Sequence, residues 1–111
     1  MSLFFAYRGK GITKTIVIKD ANGDAVTPGD SDKVRATIGR EGETAVLTVT
    51  SGTDTANGSS LTKGATNYLR LDADDLSFAA GAYTLTVDFY DAADAAEWKT
   101  VSREVFYLEN I

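Results

Sequence analysis

The chain has 111 residues and a formal net charge of −5, and it contains neither cysteine nor histidine. This composition excludes disulfide bonds, thiol catalysis and cysteine-ligated zinc, and it removes the commonest general base and transition-metal ligand. The acidic balance disfavours binding to nucleic-acid backbones or to anionic membranes. The length predicts a single domain over residues 1–111.

Apolar and polar residues alternate with a period of two along most of the chain, and no window carries the helical i, i+3, i+4, i+7 pattern. The alternation predicts strands over 12–18, 34–38, 46–50, 68–71, 83–89 and 97–108. The last of these keeps no single parity, since Trp98 and Val101 cannot face the same side of an unbroken strand. We therefore predict a bulge or bend near Ser102 that lets the chain switch sheets.

Turn signals separate the strands. Residues 20–24 predict a hairpin-type turn in which Asn22-Gly23 supplies positive φ. Residues 27–30 match a type II turn, with Pro28 at its second position and Gly29 at its third. Residues 51–60, rich in Gly, Ser and Thr, predict a mobile loop.

Short strands at this spacing, without helices, are typical of a two-sheet sandwich or a small barrel. One face of each alternating segment should be buried. The predicted core comprises Ile16, Ile18, Val34, Ile38, Leu69, Leu71, Leu76, Tyr83, Leu85, Val87 and Phe89.

The segment before the clearest strand favours the sandwich. In immunoglobulin-like sandwiches a tyrosine near the start of a strand bonds back to the backbone of the preceding turn, which forms a tyrosine corner. Here Asp72 would cap a helical turn, and Leu76 and Phe78 would close the end of the core. Gly81 would allow the bend, and Tyr83 would occupy the corner. The alternative is that Tyr83 is an ordinary inward-facing aromatic with its hydroxyl at the rim.

The predicted fold is therefore all-β, an immunoglobulin-like antiparallel β-sandwich of about seven strands. The order of segments supports it: RGKG, the strand ITKTIVIKD, the turn ANGDAV, the strand KVRATIGR, then YLRLDADDL and AAGAYTLTVDFYDA. This order resembles the small immunoglobulin-like domains of tailed-phage virion proteins. Examples are the N-terminal domain of upper baseplate proteins and stand-alone head or tail accessory proteins. The shared stretch is carried by Leu71, Leu76, residues 79–81, Tyr83 and Asp91.

The resemblance implies a non-enzymatic virion structural protein, most simply a capsid decoration or cement protein or another particle accessory protein. It would be made in the host cytoplasm and reside in the virion. Its implied partners are other virion proteins, either major capsid or tail proteins, and further copies of itself. Upper baseplate proteins continue into a long C-terminal extension, whereas this chain stops at Ile111. A stand-alone particle protein is thus favoured over a tail or baseplate adaptor.

Two acidic segments carry the residue types of a cation site. Residues 20–24 have the alternating oxygens of a calcium loop, but Gly23 stands at position 4 rather than 6 and no Glu follows at 12. An Asx-stabilised turn is the simpler interpretation. Helix capping explains the second cluster, which comprises Asp72, Asp74 and Asp75. We expect no metal, no cofactor and no catalytic residue.

Aromatic side chains are the candidate binding residues, since Tyr and Trp are favoured in protein interfaces and in sugar-binding platforms. An immunoglobulin-like module that binds carbohydrate or a host surface is therefore the alternative function. Ordinary cross-strand packing on a solvated face would also explain such residues. The interface candidates are Leu3, Phe4, Phe5, Tyr7, Tyr68, Tyr90 and Trp98.

The N-terminal segment supplies the most specific of these expectations. Phe4 and Phe5 are adjacent, so in a strand they point to opposite faces and one of them must leave the core. An exposed Phe beside the chain start calls for a partner surface. We predict that residues 1–5 contact a neighbouring subunit, either of the same kind or of the shell.

Overall fold

A computed structural model of the chain describes residues 3–93 and 97–110. This part of the chain is all-β, as predicted, and contains eight strands and no helix. The short β5 lies at the end of a stretch that the sequence marked only as a loop. The strands are β1 (Leu3–Tyr7), β2 (Ile12–Ile16), β3 (Lys33–Gly39), β4 (Leu47–Thr50), β5 (Ser60–Thr62), β6 (Asn67–Leu71), β7 (Gly81–Tyr90) and β8 (Trp98–Glu109).

The strands form two sheets. The larger has the order β1-β8-β7-β3-β4, and the smaller has the order β2-β6-β5. All neighbouring strands are antiparallel except β1, which runs parallel to β8 at the edge of the larger sheet. A strand that is parallel to its only neighbour is joined to it through a long excursion of the chain. Here the remaining six strands separate β1 from β8.

The buried side chains of both sheets belong to one apolar core, and every residue of the predicted core is buried. The prediction succeeds because a period-two strand with one buried face places all its inward residues at alternate positions. The core also takes in Ala6 of β1, Val49 of β4, Leu61 of β5, and Phe106 and Leu108 of β8.

A bulge interrupts β8 where the sequence predicted a break in parity. Val87 of β7 lies opposite Ser102, but the next residue, Asp88, lies opposite Thr100, so Val101 has no cross-strand partner. The predicted change of sheet is wrong, because both halves of β8 pair with β7. The extra residue instead reverses which side chains face outward, as a bulge does within one sheet.

One turn forms as predicted and one does not. In the 20–24 turn Gly23 has φ 84°, and one carboxylate oxygen of Asp20 accepts the N–H groups of Asn22 and Asp24. The type II turn at 27–30 is wrong, because Gly29 does not adopt the positive φ that this turn requires. The chain turns at residues 29–32 instead, where the N–H of Asp32 donates to the carbonyl of Gly29 at 3.2 Å.

Long-range hydrogen bonds explain the second turn. The Asp32 carboxylate accepts the N–H of Gly29 at 2.7 Å and the N–H of Ala92 at 3.0 Å. The ammonium group of Lys63 donates to three backbone carbonyls of the turn, those of Gly29, Asp30 and Asp32. Partners some 30 and 60 positions away thus set this conformation, which is why the local sequence did not predict it.

The tyrosine corner is present at the start of β7. The hydroxyl of Tyr83 donates to the carbonyl of Ala79 at 2.6 Å, and the ring of Phe78 meets the Tyr83 ring edge-on at 4.9 Å. Leu76 is fully buried beneath the turn. Gly81 has φ 145°, and a Cβ there would lie 2.7 Å from the Arg40 guanidinium, which covers the Tyr83 ring. The backbone conformation therefore favours glycine, and a larger residue would also displace the Arg40 guanidinium from the Tyr83 ring.

Replacing Tyr83 by Phe should lower the free energy of unfolding by about 1 kcal/mol, the usual net value of one hydrogen bond. Tyr68→Phe is the matched control, since Tyr68 is 46% exposed and its change should leave stability unaltered. Urea denaturation of the two variants beside the wild type measures the difference. Equal midpoints for all three proteins would mean that the Tyr83 hydroxyl contributes nothing.

Candidate protein interaction surface

Strand β1 exposes apolar side chains at every second position. Leu3 is 55% exposed, Phe5 47% and Tyr7 48%, whereas Ala6 between them is 1% exposed. This alternation follows from the strand geometry, since inward and outward positions alternate. Three of the large apolar side chains most exposed in the described residues thus form one row on an edge strand.

The register with β8 decides which of the two adjacent phenylalanines faces outward. Phe4 lies opposite Phe106, and their rings meet edge-on at 5.3 Å within the core. Phe5 lies opposite Tyr107, and these two rings stack at 5.3 Å with their planes 15° apart. Phe4 therefore packs against the core. The outward row on this edge consists of Leu3, Phe5, Tyr7 and Tyr107, and we call it the β1 strip.

The end of β1 is held to the tyrosine corner. The N–H of Arg8 donates to the carbonyl of Glu109, and its guanidinium donates to the carbonyl of Ser77, both at 2.9 Å. The N–H of Gly9 donates to the carbonyl of Leu76. These bonds fix the position of the strand, so the β1 strip is presented on a defined surface. Of the predicted contact segment 1–5, Met1 and Ser2 lie outside the described residues.

Two other interface candidates, Tyr90 and Trp98, lie together at the far end of the same sheet face. The Val101 bulge places Trp98 opposite Tyr90, with ring centroids 5.5 Å apart. The Arg35 guanidinium covers the Trp98 ring at 4.2 Å, and the Lys33 ammonium lies 5.2 Å from the Tyr90 ring. Both rings are half-buried, and cations already occupy one face of each, which is a favourable cation–π arrangement.

The cluster is completed by an ion pair. The Asp88 carboxylate accepts two hydrogen bonds from Arg35, at 3.0 and 3.3 Å, and one from the Thr100 hydroxyl at 2.7 Å. These partners hold the Arg35 side chain over the Trp98 ring. The arrangement is therefore internally satisfied, whereas the β1 strip offers apolar surface that the described residues leave open.

The remaining candidate, Tyr68, lies on the smaller sheet. It is exposed and pairs with Thr15 of β2. The structure thus brings Leu3, Phe5 and Tyr7 together on β1 and pairs Tyr90 with Trp98. It leaves Tyr68 by itself on the smaller sheet and packs Phe4 against the core. Tyr107 joins the exposed β1 residues through register alone, since nothing in the sequence places it beside Phe5.

The acidic segments are engaged by the protein itself. Asp75 accepts hydrogen bonds from the hydroxyls of Thr55 and Ser59 and from the Asn57 amide. Burial raises the pKa of the Asp75 carboxyl, but these hydrogen bonds outweigh it and hold the pKa below its ordinary value. Within 3–93 and 97–110, no group of three or more acidic, His or Cys residues is placed to hold a metal ion.

A second carboxyl has a shifted pKa. The backbone N–H groups of Gly29 and Ala92 lower the pKa of Asp32, and the Lys63 ammonium adds to the effect. The Asp32 carboxylate thereby stabilises the turn at residues 29–32. Hydrogen bonds from the protein itself therefore account for the lowered pKa of both carboxyls.

A shallow concavity of about 350 Å³ lies on the outer face of the larger sheet. It is lined by small residues (Thr37, Gly39, Ala45, Thr84 and Thr86), by two arginines (Arg40 and Arg103) and by two glutamates (Glu41 and Glu43). Cations and carboxylates of equal number surround it, so its charge favours no class of ligand.

The chain matches no model of a known protein family, and it matches no curated protein. No helix among the described residues is long and apolar enough to cross a membrane.

Proposed function

We propose that the chain is an immunoglobulin-like β-sandwich that serves as a non-enzymatic structural protein of a tailed-phage virion. The strand order supports the fold assignment. In an immunoglobulin sandwich one sheet carries strands C, F and G and the other carries B, E and D. Here β3, β7 and β8 occupy the C, F and G positions, and β2, β6 and β5 occupy the B, E and D positions. The tyrosine corner on β7 falls on strand F, where that fold has it.

The β1 strip is the single observation that carries the function. An exposed apolar row on an edge strand is a liability for a free monomer, and it is the usual mark of a contact surface. Aromatic residues such as Phe5, Tyr7 and Tyr107 have large contact areas and few rotatable bonds, which favours them as anchors of protein interfaces. A particle accessory protein needs such an anchor and needs no catalytic group.

Replacing Phe5 and Tyr7 together by Ser should abolish incorporation into particles while the domain stays folded. Both side chains point away from the core, so their loss removes contact area without opening a cavity. The variants are supplied in trans during infection, and the copies per purified virion are quantified against the major capsid protein. Deleting residues 1–5 is a poorer test, because it would also remove Phe4 from the core.

The double variant Val17→Ser and Tyr68→Ser is the matched control. Both residues are exposed to a similar degree as Phe5 and Tyr7. Val17 directly follows β2 and Tyr68 lies in β6, so neither belongs to the β1 strip. We expect normal incorporation of this control. Full incorporation of the Phe5 and Tyr7 variant, with its folding verified by circular dichroism, would refute the proposed role of the strip.

The adjacent rings of Tyr90 and Trp98, tilted by 58° to each other, favour the alternative function, a module that binds a glycan of the host surface. A sugar would have to lie against rings that Lys33 and Arg35 already cover on one face. A glycan array distinguishes the two functions. Binding to a defined sugar that Trp98→Ala abolishes would establish the alternative, and a virion structural protein should show no such binding.

A further inference from the structure

The open edge of β1 lacks the features that normally prevent strand pairing. It is the outermost strand of the larger sheet, and within the described residues only β8 pairs with it. Natural edge strands are protected by charges, prolines, bulges or short length. The sequence LFFAY contains none of these, whereas edge strand β2 carries Lys14, and β4 and β5 have only four and three residues. The free edge of β1 is therefore a template for another strand.

The hydrogen bonds of the strand show which residues face the open edge. The N–H of Arg8 donates towards β8, to the carbonyl of Glu109. Because the backbone groups of successive residues in a strand point to opposite sides, those of Leu3, Phe5 and Tyr7 point away from β8. The carbonyl of Tyr7 agrees with this assignment, since it accepts the N–H of Lys10 beyond the end of the strand. Phe5 is thus the central one of three residues whose backbone groups point to the open edge, and of these the Tyr7 carbonyl also accepts the Lys10 N–H.

We propose that a second copy of the chain pairs with this edge, β1 against β1 in antiparallel orientation about a two-fold axis at Phe5. In this register Phe5 faces Phe5 of the other copy, and Leu3 faces Tyr7. All three pairs match residues whose N–H and C=O groups point to the edge, as the hydrogen-bonded pairs of an antiparallel ladder require. The Tyr7 carbonyl, which also accepts the Lys10 N–H, would use its second lone pair for the Leu3 N–H of the other copy. The interface is isologous and joins two five-stranded sheets into one of ten strands.

The side chains are compatible with that register. On the outer face the two β1 strips become continuous across the axis, so the apolar side chains of one copy contact those of the other along the shared edge. On the inner face the large Phe4 lies beside the small Ala6 of the other copy. No charged side chain of β1 is brought near its symmetry mate, since the strand has none. This inference rests on the proposed function, because it concerns the same β1 strip and names another copy of the chain as the partner. The pairing itself can be measured in solution, without phage particles.

The pairing is tested by charge at the two-fold axis. Like charges placed directly opposite each other destabilise a strand pair, and opposite charges stabilise it. Sedimentation equilibrium of the wild type up to about 1 mM, the range of a weak contact, should show a monomer–dimer equilibrium. Phe5→Lys alone and Phe5→Glu alone should each raise the dissociation constant at least about tenfold. An equimolar mixture of the two variants should restore the dimer.

A second pair of variants tests the register. The chain with Leu3→Lys and Tyr7→Glu places opposite charges across the axis and should remain a salt-sensitive dimer. The chain with Leu3→Lys and Tyr7→Lys places like charges there and should be monomeric. Val17→Lys, at an exposed site outside β1, is the control and should dimerise as the wild type does. Thermal unfolding of each variant confirms that it is folded at the temperature of measurement.

The outcomes separate this inference from the proposed function. A wild type that stays monomeric to about 1 mM overturns self-pairing, and so does a dimer that Phe5→Lys leaves intact. Either result leaves the particle incorporation test unaffected. A monomeric wild type whose incorporation still requires Phe5 would mean that the β1 strip contacts another virion protein.

Discussion

Phe106→Ala should lower the free energy of unfolding by about 4 kcal/mol. Phe106 is fully buried on β8, where it contacts Phe4 of β1 edge-on and lies 6.4 Å from the Phe78 ring. Truncating a buried phenylalanine to alanine costs about 3–5 kcal/mol through lost burial and the cavity that remains. Against a total stability of about 5–15 kcal/mol for a domain of this size, the loss is large.

Urea denaturation followed by fluorescence of Trp98, the one tryptophan of the chain, measures this effect. Phe106→Leu keeps most of the volume and should cost less than about 1.5 kcal/mol. Phe5→Ala removes the same atoms from the outer face and should cost less than about 1 kcal/mol, the range of a cross-strand pair. Similar losses for Phe106→Ala and Phe5→Ala would contradict the assignment of inward and outward faces on β1 and β8.

Asp75→Ala should lower the free energy of unfolding by about 3 kcal/mol. The Asp75 carboxylate joins two distant segments, since it accepts the Thr55 hydroxyl at 2.5 Å, the Asn57 amide at 2.9 Å and the Ser59 hydroxyl. Ser59 is completely buried and would lose its acceptor. Hydrogen bonds to a charged group contribute about 1.5–3 kcal/mol, and an unsatisfied buried donor adds its own penalty.

The control for this variant is Asp74→Ala, which changes the adjacent exposed carboxylate of the same turn and should alter stability by less than about 0.5 kcal/mol. Chemical denaturation at neutral pH compares the two. If Asp75→Ala proves as stable as Asp74→Ala, the hydrogen bonds of the Asp75 carboxylate to residues 55–59 do not stabilise the fold.

The stabilising effect of Asp75 should depend on pH. Its pKa in the folded protein lies below the ordinary value of 3.8, so its ionisation stabilises the fold fully above about pH 4. The contribution is lost as the pH falls through the lowered pKa, because the folded state must then bind a proton that the unfolded state has already bound. The difference in stability between wild type and Asp75→Ala should therefore narrow as the pH falls below the ordinary pKa of 3.8. A difference that grows on acidification would contradict the direction of the shift.

The same contacts show why the sequence of residues 51–60 predicts only a loop. The sequence there consists of small residues, mostly Gly, Ser and Thr, which indicate no preferred structure. Their hydrogen-bond acceptor is Asp75, 16 to 20 residues further along the chain. The same turn carries Asp72, whose N–H donates to the Ser59 hydroxyl at 2.8 Å. Only the fold brings these groups together, so the order of the segment and the short β5 beyond it could not be predicted locally.

The sequence by itself determined the all-β class, the alternating core and the tyrosine corner. These features depend on neighbours in the chain: a period of two that buries one face of each strand, an Asn-Gly turn, and a Tyr83 hydroxyl that reaches a carbonyl four residues back. The break in β8 was also predictable, because the loss of parity between Trp98 and Val101 is visible in the sequence. Local conformational preference and periodicity suffice for such features.

The tertiary structure alone decided which side chains form the exposed surfaces. The sequence required one of Phe4 and Phe5 to leave the core, but the parallel register with β8 assigns Phe4 to the core and Phe5 to the outer face. Likewise, the position of the bulge turns Trp98 outward onto Tyr90 and Arg35. Register and bulge position are set by contacts between residues far apart in the chain, since a shift of one residue exchanges the two faces of a strand without changing its local pattern.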